Sequence, residues 1–449
     1  MTKGSVTKLT FLFAFPLVLG SVLQQLYSTV DTVVVGKFCG AVSIAAVGTS
    51  SQPVEILLCV FLGIGHGVSI LVSQAVGRKS MKEVKEIART AISFVYLTSV
   101  PVTIAGLFVG PLILRLMKVP ESAFPLAQTY IQIILLGTLG QMGFNMNAGI
   151  LRGLGDSNSS LFFLVCSTVL NVALDFVFVA GFHMNVFGAA LATSVATYLS
   201  WILSIFYMRK HYKELDFTFL PKKIDRAILL KIIKIGLPLG MNSSLYSFGH
   251  TVIQGFLNTQ GDTFVAGCVI ATRLSGLAGI TTSSFSSAAL TFSGQNLGAK
   301  KYMRIRRGGV QIPLLSGAFT ICMNVAAMLL ARPFFSLSTS DAAVIAVALH
   351  FSRGVLPFNW CYSIFNGIIN VANGLGHVKY STVVNILMLW AVRIPSAWLL
   401  LSLGLGYYVM ACIPVSFVFG MFSMLLFYRS GAWKEIKEKA KEEELAFSA

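Results

Sequence analysis

Long apolar runs recur twelve times along this 449-residue chain. A helix that crosses a lipid bilayer needs about 20 mostly apolar residues. The runs are 11–35, 44–72, 87–114, 126–148, 159–181, 187–208, 232–257, 265–292, 309–331, 343–371, 380–402 and 405–427, numbered below as spans 1 to 12. Charged residues make up only 11% of the chain, whereas soluble domains carry about 25%. The pattern predicts an all-α membrane protein with twelve transmembrane helices.

Positive charge lies mainly on one side of these spans. Of the 34 Lys and Arg residues, 27 lie at the N-terminus, in the even-numbered loops or in the C-terminal tail. Such a bias marks the cytoplasmic side, so we expect a multi-pass protein of the cell (inner or plasma) membrane with both termini in the cytoplasm. This placement explains the net charge of +17 without a nucleic-acid partner. We expect a monomer in contact with the lipid bilayer.

The chain divides into two similar halves. The segment FPLVLGSVLQQLYSTVDTVVVG (15–36) aligns with LPLGMNSSLYSFGHTVIQGFLN (237–258), and two later segments align at the same offset of 221–222 residues. We therefore predict an N-terminal six-helix lobe (1–208), a cytoplasmic connector (209–231), a C-terminal six-helix lobe (232–428) and a charged cytoplasmic tail (429–449). Two six-helix repeats of the same orientation are related by a pseudo-twofold axis, as in many secondary transporters.

Acidic residues inside the spans occur only in the first half, at Asp31, Glu55 and Asp175. A carboxylate in the middle of a transmembrane helix costs about 2.5–3.5 kcal/mol on insertion scales. No Lys or Arg lies in the interior of spans 1–6 to pair with these acids. We therefore interpret Asp31 and Asp175 as functional, and Glu55 as a helix-end or water-facing acid.

Four oxygen-bearing side chains fall at a similar depth in spans 1, 5 and 6. Asp31, Asp175 and Thr193 lie within roughly 6–9 Å of the outer ends of their spans, at 1.5 Å rise per residue. Asn171 precedes Asp175 by one turn on the same helix face. Hard cations prefer oxygen ligands, so these residues predict a site for Na⁺. A proton suits the site equally well, because two neighbouring carboxyl groups in a poorly hydrated place favour protonation.

Further polar residues suggest a substrate cavity. On span 1, Gln24 and Tyr27 share a face with Asp31. On span 7, Tyr246 and His250 occupy the corresponding stripe of the second half. We predict that these four residues line the cavity.

Three arginines lie within spans of the second half, at Arg273, Arg353 and Arg393. They are placed to line a path for anions. Each is also within about ten residues of a span end, where Arg reaches the interface or bonds backbone carbonyls. We favour the structural role and leave the functional one open.

Several segments together resemble the multidrug and toxic compound extrusion (MATE) family of prokaryotes over nearly the full chain. They are FPLVLGSVLQQLYSTVDTVVVG, GIGHGVSILVSQAVGRK, ILRGLGD, NVALD and FSGQNLGAKKYMRI. The resemblance implies a V-shaped pair of six-helix lobes around a central cavity. It also implies export of organic, often cationic compounds in exchange for H⁺ or Na⁺.

The cation site of that family matches Asp31, Asn171, Asp175 and Thr193, and its cavity-lining positions match Gln24 and Tyr27. Some relatives carry a glutamate on span 7, where this chain has Tyr246. Many have proline directly after the span-5 aspartate, where this chain has Phe176.

We therefore expect a secondary antiporter that exports small organic compounds of cationic, amphipathic character, with H⁺ or Na⁺ as the coupling ion and no cofactor. The alternative is an exporter or flippase of an anionic or lipid-linked metabolite, which the second-half arginines would suit. An intramembrane enzyme is disfavoured, because the chain has no nucleophile elbow, phosphate loop or His-rich motif.

Overall fold

A computed structural model of the protein describes residues 1–117, 119, 121, 123–217, 221 and 223–448. Within these ranges the regular structure is helical and contains no strand. The α-helices of the first half are α1 (Val6–Cys39), α2 (Ala41–Gly77), α3 (Met81–Leu116), α4 (Phe124–Leu136), α5 (Thr138–Leu154), α6 (Ser157–Asp175) and α7 (Asn185–His211). Those of the second half are α8 (Arg226–Asn258), α9 (Asp262–Gly298), α10 (Tyr302–Ser338), α11 (Ala342–Val355), α12 (Asn359–Gly374), α13 (Val378–Ile386), α14 (Ile394–Ser402), α15 (Cys412–Leu425) and α16 (Gly431–Ser448).

Short segments of other helical geometry complete the spans. Two are π-helical, Phe176–Gly181 after α6 and Leu387–Arg393 between α13 and α14. Four are 3₁₀-helical: Lys213–Leu215, Leu356–Phe358, Gly406–Ala411 and Leu426–Arg429. Both π-helical segments lie inside spans, and such segments frequently occur at functional sites.

All twelve predicted spans fall within one helix or within consecutive helices. Span 4 is formed by α4 and α5, span 10 by α11 and α12, and span 11 by α13, a π-helical segment and α14. Ten segments of the described residues are long and apolar enough to cross a membrane, and the shorter apolar helices Phe61–Gly77 and Phe124–Leu136 belong to spans 2 and 4. The prediction of an all-α membrane protein with twelve transmembrane helices in two lobes is confirmed.

The helices pack as two compact units. The N-terminal unit is Leu19–Met241, and the C-terminal unit is Met1–Val18 together with Asn242–Ala449. Helices α1 and α8 are therefore each shared between both units. The lobe bounds derived from the repeat stay a prediction. Connector residues 218–220 and 222, and residue 449, lie outside the described residues.

The points at which α1 and α8 change units are equivalent in the repeat. Pro16 lies two residues before the boundary at Val18, and Pro238 lies three residues before the boundary at Met241. Proline inside a helix removes one backbone hydrogen bond and clashes with the preceding turn. Each shared helix thus has an internal weak point close to the place where it passes from one unit to the other.

Glycines allow α2 and α8 to approach closely within the N-terminal unit. A Cβ atom added to Gly63 would lie 2.1 Å from the backbone nitrogen of Gly240, and one added to Gly67 would lie 2.9 Å from Cα of Gly236. No side chain fits into contacts this short. Small residues at such crossings are typical of helix packing in membranes.

The cytoplasmic turn after span 4 is built by the motif LRGLGDS (151–157). Gly155 adopts φ +94° at the end of α5, a conformation that other residues rarely adopt. Asp156 caps α6 by accepting a hydrogen bond from the Ser159 amide at 3.0 Å, and it also accepts one from the Tyr212 hydroxyl at 2.9 Å. The motif thus forms a tight turn and caps the helix that follows.

The charged tail forms the helix α16, which packs on α10. Trp433 is 1% exposed, and its ring lies 4.8 Å from that of Tyr428. A Cβ atom on Gly309 would lie 2.3 Å from the Trp433 ring. The indole therefore fills a gap that glycine leaves in α10.

Candidate functional site

Three side chains of the N-terminal unit, those of Tyr27, Asp175 and Thr193, converge on the amide of Asn171. With its amide oriented for best hydrogen bonding, Asn171 donates to Asp175 Oδ2 and to the Tyr27 hydroxyl, both at 3.1 Å. Its oxygen accepts from the Thr193 hydroxyl at 3.2 Å and from the Thr193 backbone N–H at 2.9 Å. The Tyr27 and Thr193 hydroxyls are 3.4 Å apart. Helices α1, α6 and α7 are therefore joined by one polar network.

Asp31 completes this network, because its carboxyl group lies within hydrogen-bonding reach of that of Asp175. Asp175 is fully buried, and Oδ1 of each carboxyl group is buried without a hydrogen-bond partner in the structure. Two ionised carboxylates in contact repel one another strongly in a site of low polarity. A proton or a metal cation between them removes that repulsion, so the pair is chemically suited to hold one.

The local sequence explains how the two helices present these groups. Tyr27 and Asp31 are four residues apart on α1, and Asn171 and Asp175 are four residues apart on α6, so each pair shares one helix face. The π-helical segment begins at Phe176, directly after Asp175. The regular α-helical geometry therefore ends at this aspartate. It ends there although the next residue is Phe176 and not the proline that the family resemblance implies for many members.

The other predicted cavity residues are not members of this hydrogen-bonded network. Gln24 has an exposed side chain on α1, about two turns before Asp31. Tyr246 and His250 belong to the C-terminal unit, where their rings are 5.5 Å apart. The side chain of Glu55 lies outside the described residues. The roles of Gln24, Tyr27, Tyr246 and His250 stay predictions.

The three intramembrane arginines differ in their surroundings. The side chains of Arg273 and Arg353 are exposed, as expected for arginines that face lipid or the interface. Arg393, by contrast, is only 2% exposed. Its Nε donates to Ser416 Oγ at 2.8 Å and its Nη1 to the Tyr246 hydroxyl at 3.3 Å. Sequence reasoning did not separate Arg393 from the other two.

Comparison with known proteins agrees with this architecture. A family model described as MatE matches residues 16–177 and 238–399. A probable multidrug resistance protein of Bacillus subtilis, YpnP, is 31% identical over 97% of this chain and 98% of its own length. A second from the same organism, YoeA, is 26% identical over 94% of this chain and 95% of its own length.

The fold agrees as well. The outward-facing structure of a multidrug resistance MATE transporter of the MOP superfamily superimposes with a TM-score of 0.88, at 22% identity and 98% coverage of both chains. Its identity is too low to transfer more than the fold. The two ranges of the MatE match, by contrast, include both repeats and most of the chain. The protein therefore belongs to the MatE family, the multidrug and toxic compound extrusion transporters of the plasma membrane, and it is a transporter rather than an enzyme.

Proposed function

We propose that the protein is a cation-coupled antiporter that exports small organic compounds and binds its coupling ion at Asp31 and Asp175. The observation that carries this proposal is the contact between the two carboxyl groups inside the N-terminal unit. No Lys or Arg lies in the interior of spans 1–6. A mobile cation is therefore the natural partner of the pair. The names of the relatives YpnP and YoeA, both probable multidrug resistance proteins, support organic compounds as substrates.

In the proposed cycle, the ion and the substrate bind different conformations of the protein preferentially. The ion enters from outside, binds between the carboxyl groups, and adds cross-links among α1, α6 and α7 through Asn171 and Thr193. This rearrangement weakens substrate binding, so the substrate leaves outward. Coupling exists only if each ligand binds one conformation better than the other.

Transport in proteoliposomes tests the site and the ion together. Tetramethylrhodamine, a dye with both a cationic group and a carboxylate, is loaded, and either a pH gradient or a sodium gradient is imposed separately. We expect one gradient to drive transport, and we expect Asp31→Asn and Asp175→Asn each to abolish that transport, because an amide carries no charge to exchange. The gradient that drives the wild-type protein identifies the ion.

Asp262→Asn is the matched control, because Asp262 is an exposed acid at the start of α9 in the other unit. It should transport as the wild-type protein does. If both Asp31→Asn and Asp175→Asn retain gradient-driven transport at normal expression, the site assignment is wrong.

We further propose that both termini are cytoplasmic, from the charge bias of the loops, and that the protein is a monomer. The alternative of an anionic or lipid-linked substrate draws on one observation, the buried Arg393 of the C-terminal unit.

A further inference from the structure

Arg393 lies at the end of a π-helical segment and is enclosed by aromatic rings of its own unit. Its guanidinium carbon is 5.2 Å from the centre of the Phe417 ring and 5.7 Å from that of Tyr246. The Tyr362 ring packs against Phe417 at 4.6 Å. Cation–π contacts of this kind stabilise a guanidinium group but leave its N–H groups free to donate.

The hydrogen bonds of Arg393 are incomplete. Ser416 and Tyr246 accept from Nε and Nη1, whereas Nη2 is buried and has no partner in the structure. A buried donor without an acceptor is costly, and more so when it carries charge. The side chain thus lacks one acceptor that the surrounding protein does not supply.

A countercharge is missing as well. Between Asn242 and Lys434 the sequence has acidic residues only at Asp262 and Asp341. Asp262 begins α9 and Asp341 caps the start of α11, so both lie at helix ends and not inside a span. No carboxylate within the spans of the C-terminal unit is available to neutralise Arg393.

The repeat gives this arginine a counterpart in the other unit. The two ranges of the MatE match, 16–177 and 238–399, are offset by 222 residues, which aligns Asn171 with Arg393. In the N-terminal unit that position contacts a carboxyl group, and in the C-terminal unit it carries a fixed positive charge. The second half thus carries a fixed positive charge at the position where the first half has a neutral amide beside a carboxyl group.

We propose that Arg393 is an anion-binding site that takes the carboxylate of a small organic substrate. The planar fork of a guanidinium group matches the two oxygens of a carboxylate. Tyr246 is half-buried and contacts the guanidinium group, and its neighbour on the same helix, His250, is exposed, so this face of α8 connects the buried Arg393 to an exposed surface. This inference rests on the proposed transport of organic compounds and narrows their class to those with an acidic group.

The test is dye binding to the purified full-length protein in detergent, measured by fluorescence anisotropy. Tetramethylrhodamine carries a carboxylate, and its methyl ester has the same ring system without that charge. We expect Arg393→Met to weaken binding of the carboxylate dye by more than about tenfold, as for removal of one partner of a buried charge pair. Binding of the ester should change by less than about twofold. Arg393→Lys keeps the positive charge but loses the planar fork of the guanidinium group. Its affinity for the carboxylate dye should therefore lie between those of the wild type and Arg393→Met.

Arg353→Met is the control, because Arg353 is an exposed arginine of the same unit. It should leave the binding of both dyes unchanged. Loss of both dyes to the same degree in Arg393→Met would mean that Arg393 only maintains the fold, and would overturn the inference. So would a wild-type protein that does not bind the carboxylate dye, or an Arg393→Met variant that binds it normally.

This measurement separates the inference from the proposed function. Binding in detergent needs no ion gradient, so a failure of gradient-driven transport would refute the antiport proposal without affecting the dye result. Conversely, transport that depends on Asp31 and Asp175 would stand even if Arg393 proved indifferent to the carboxylate.

Discussion

At the scale of single residues, Thr193 has the smallest side chain of the cluster, yet it contacts residues of two other helices. Its hydroxyl lies near both the Asn171 amide and the Tyr27 hydroxyl, and its backbone N–H also reaches Asn171. The residue therefore holds α7 to α6 and α1 at the level of the two aspartates. Its hydroxyl orients the amide that in turn orients Asp175.

Two substitutions at Thr193 separate this hydroxyl from the shape of the side chain. Thr193→Val keeps the shape and removes the hydroxyl, and Thr193→Ser keeps the hydroxyl. Loss of one hydrogen bond costs about 1 kcal/mol. We expect the valine variant to need about fivefold more coupling ion for half-maximal transport, and we expect the serine variant to match the wild type. Equal behaviour of the two variants in an ion titration would rule out this role.

The same residues show how far sequence could go. Asp31 and Asp175 stand out because an acid inside an apolar span is costly without a function, and Asn171 and Thr193 follow from helix spacing and depth. Their mutual contacts depend on the packing of three helices, which hydropathy does not encode. Arg393 was harder to identify, because a position near a span end is compatible with both snorkelling and burial. The absence of acids from the second-half spans indicates that an arginine there lacks a carboxylate partner, but it applies equally to Arg273 and Arg353.

At the scale of helices, the apolar runs predicted all twelve spans, because length and hydropathy suffice for a membrane helix. They did not predict the π-helical segments at Phe176–Gly181 and Leu387–Arg393. A π-helical segment differs from an α-helix in the register of its backbone hydrogen bonds. Its side-chain composition is the same as that of an α-helix, so hydropathy does not reveal it. Nor did the charge of the tail reveal that α16 buries a tryptophan.

The tail helix offers a test of its packing. Trp433→Ala should lower the free energy of unfolding by about 3 kcal/mol, because it removes a large buried side chain and leaves a cavity. Thermal unfolding in detergent measures the effect as a lower midpoint. The adjacent Lys434 is exposed, so Lys434→Ala should leave the midpoint unchanged. An unchanged midpoint in Trp433→Ala would mean that α16 contributes nothing to stability.

At the scale of the whole molecule, the two units are not the two halves of the sequence. Each unit includes a helical segment from the opposite half, Val6–Val18 of α1 in one case and Arg226–Met241 of α8 in the other. A chain cut in the connector therefore gives fragments that each lack part of a unit. The repeat alone suggested a simpler division at residues 209–231, since sequence similarity reports ancestry and not packing.

Expression of split chains tests this exchange of segments. Residues 1–221 and 222–449 expressed separately should give unstable fragments, and the two fragments expressed together should copurify. The missing segment, Arg226–Met241, forms the close glycine contacts with α2. A fragment 1–225 should fail in the same way, whereas 1–241 should be more stable than either. A monodisperse 1–221 fragment with the unfolding temperature of the intact protein would contradict this division.

Under the proposed antiport, the contact between Asp31 and Asp175 limits the substrate concentration gradient that the protein can build. A pair that tolerates only one bare negative charge would exchange a single ion in each turnover of this antiport. One elementary charge that crosses 100 mV releases about 2.3 kcal/mol, equal to a concentration ratio of about fiftyfold. If one ion is exchanged for one substrate molecule, a driving force of 100 mV on the ion therefore supports an outside-to-inside substrate concentration ratio of at most about fiftyfold. A larger steady-state ratio would require a second ion from elsewhere in the chain.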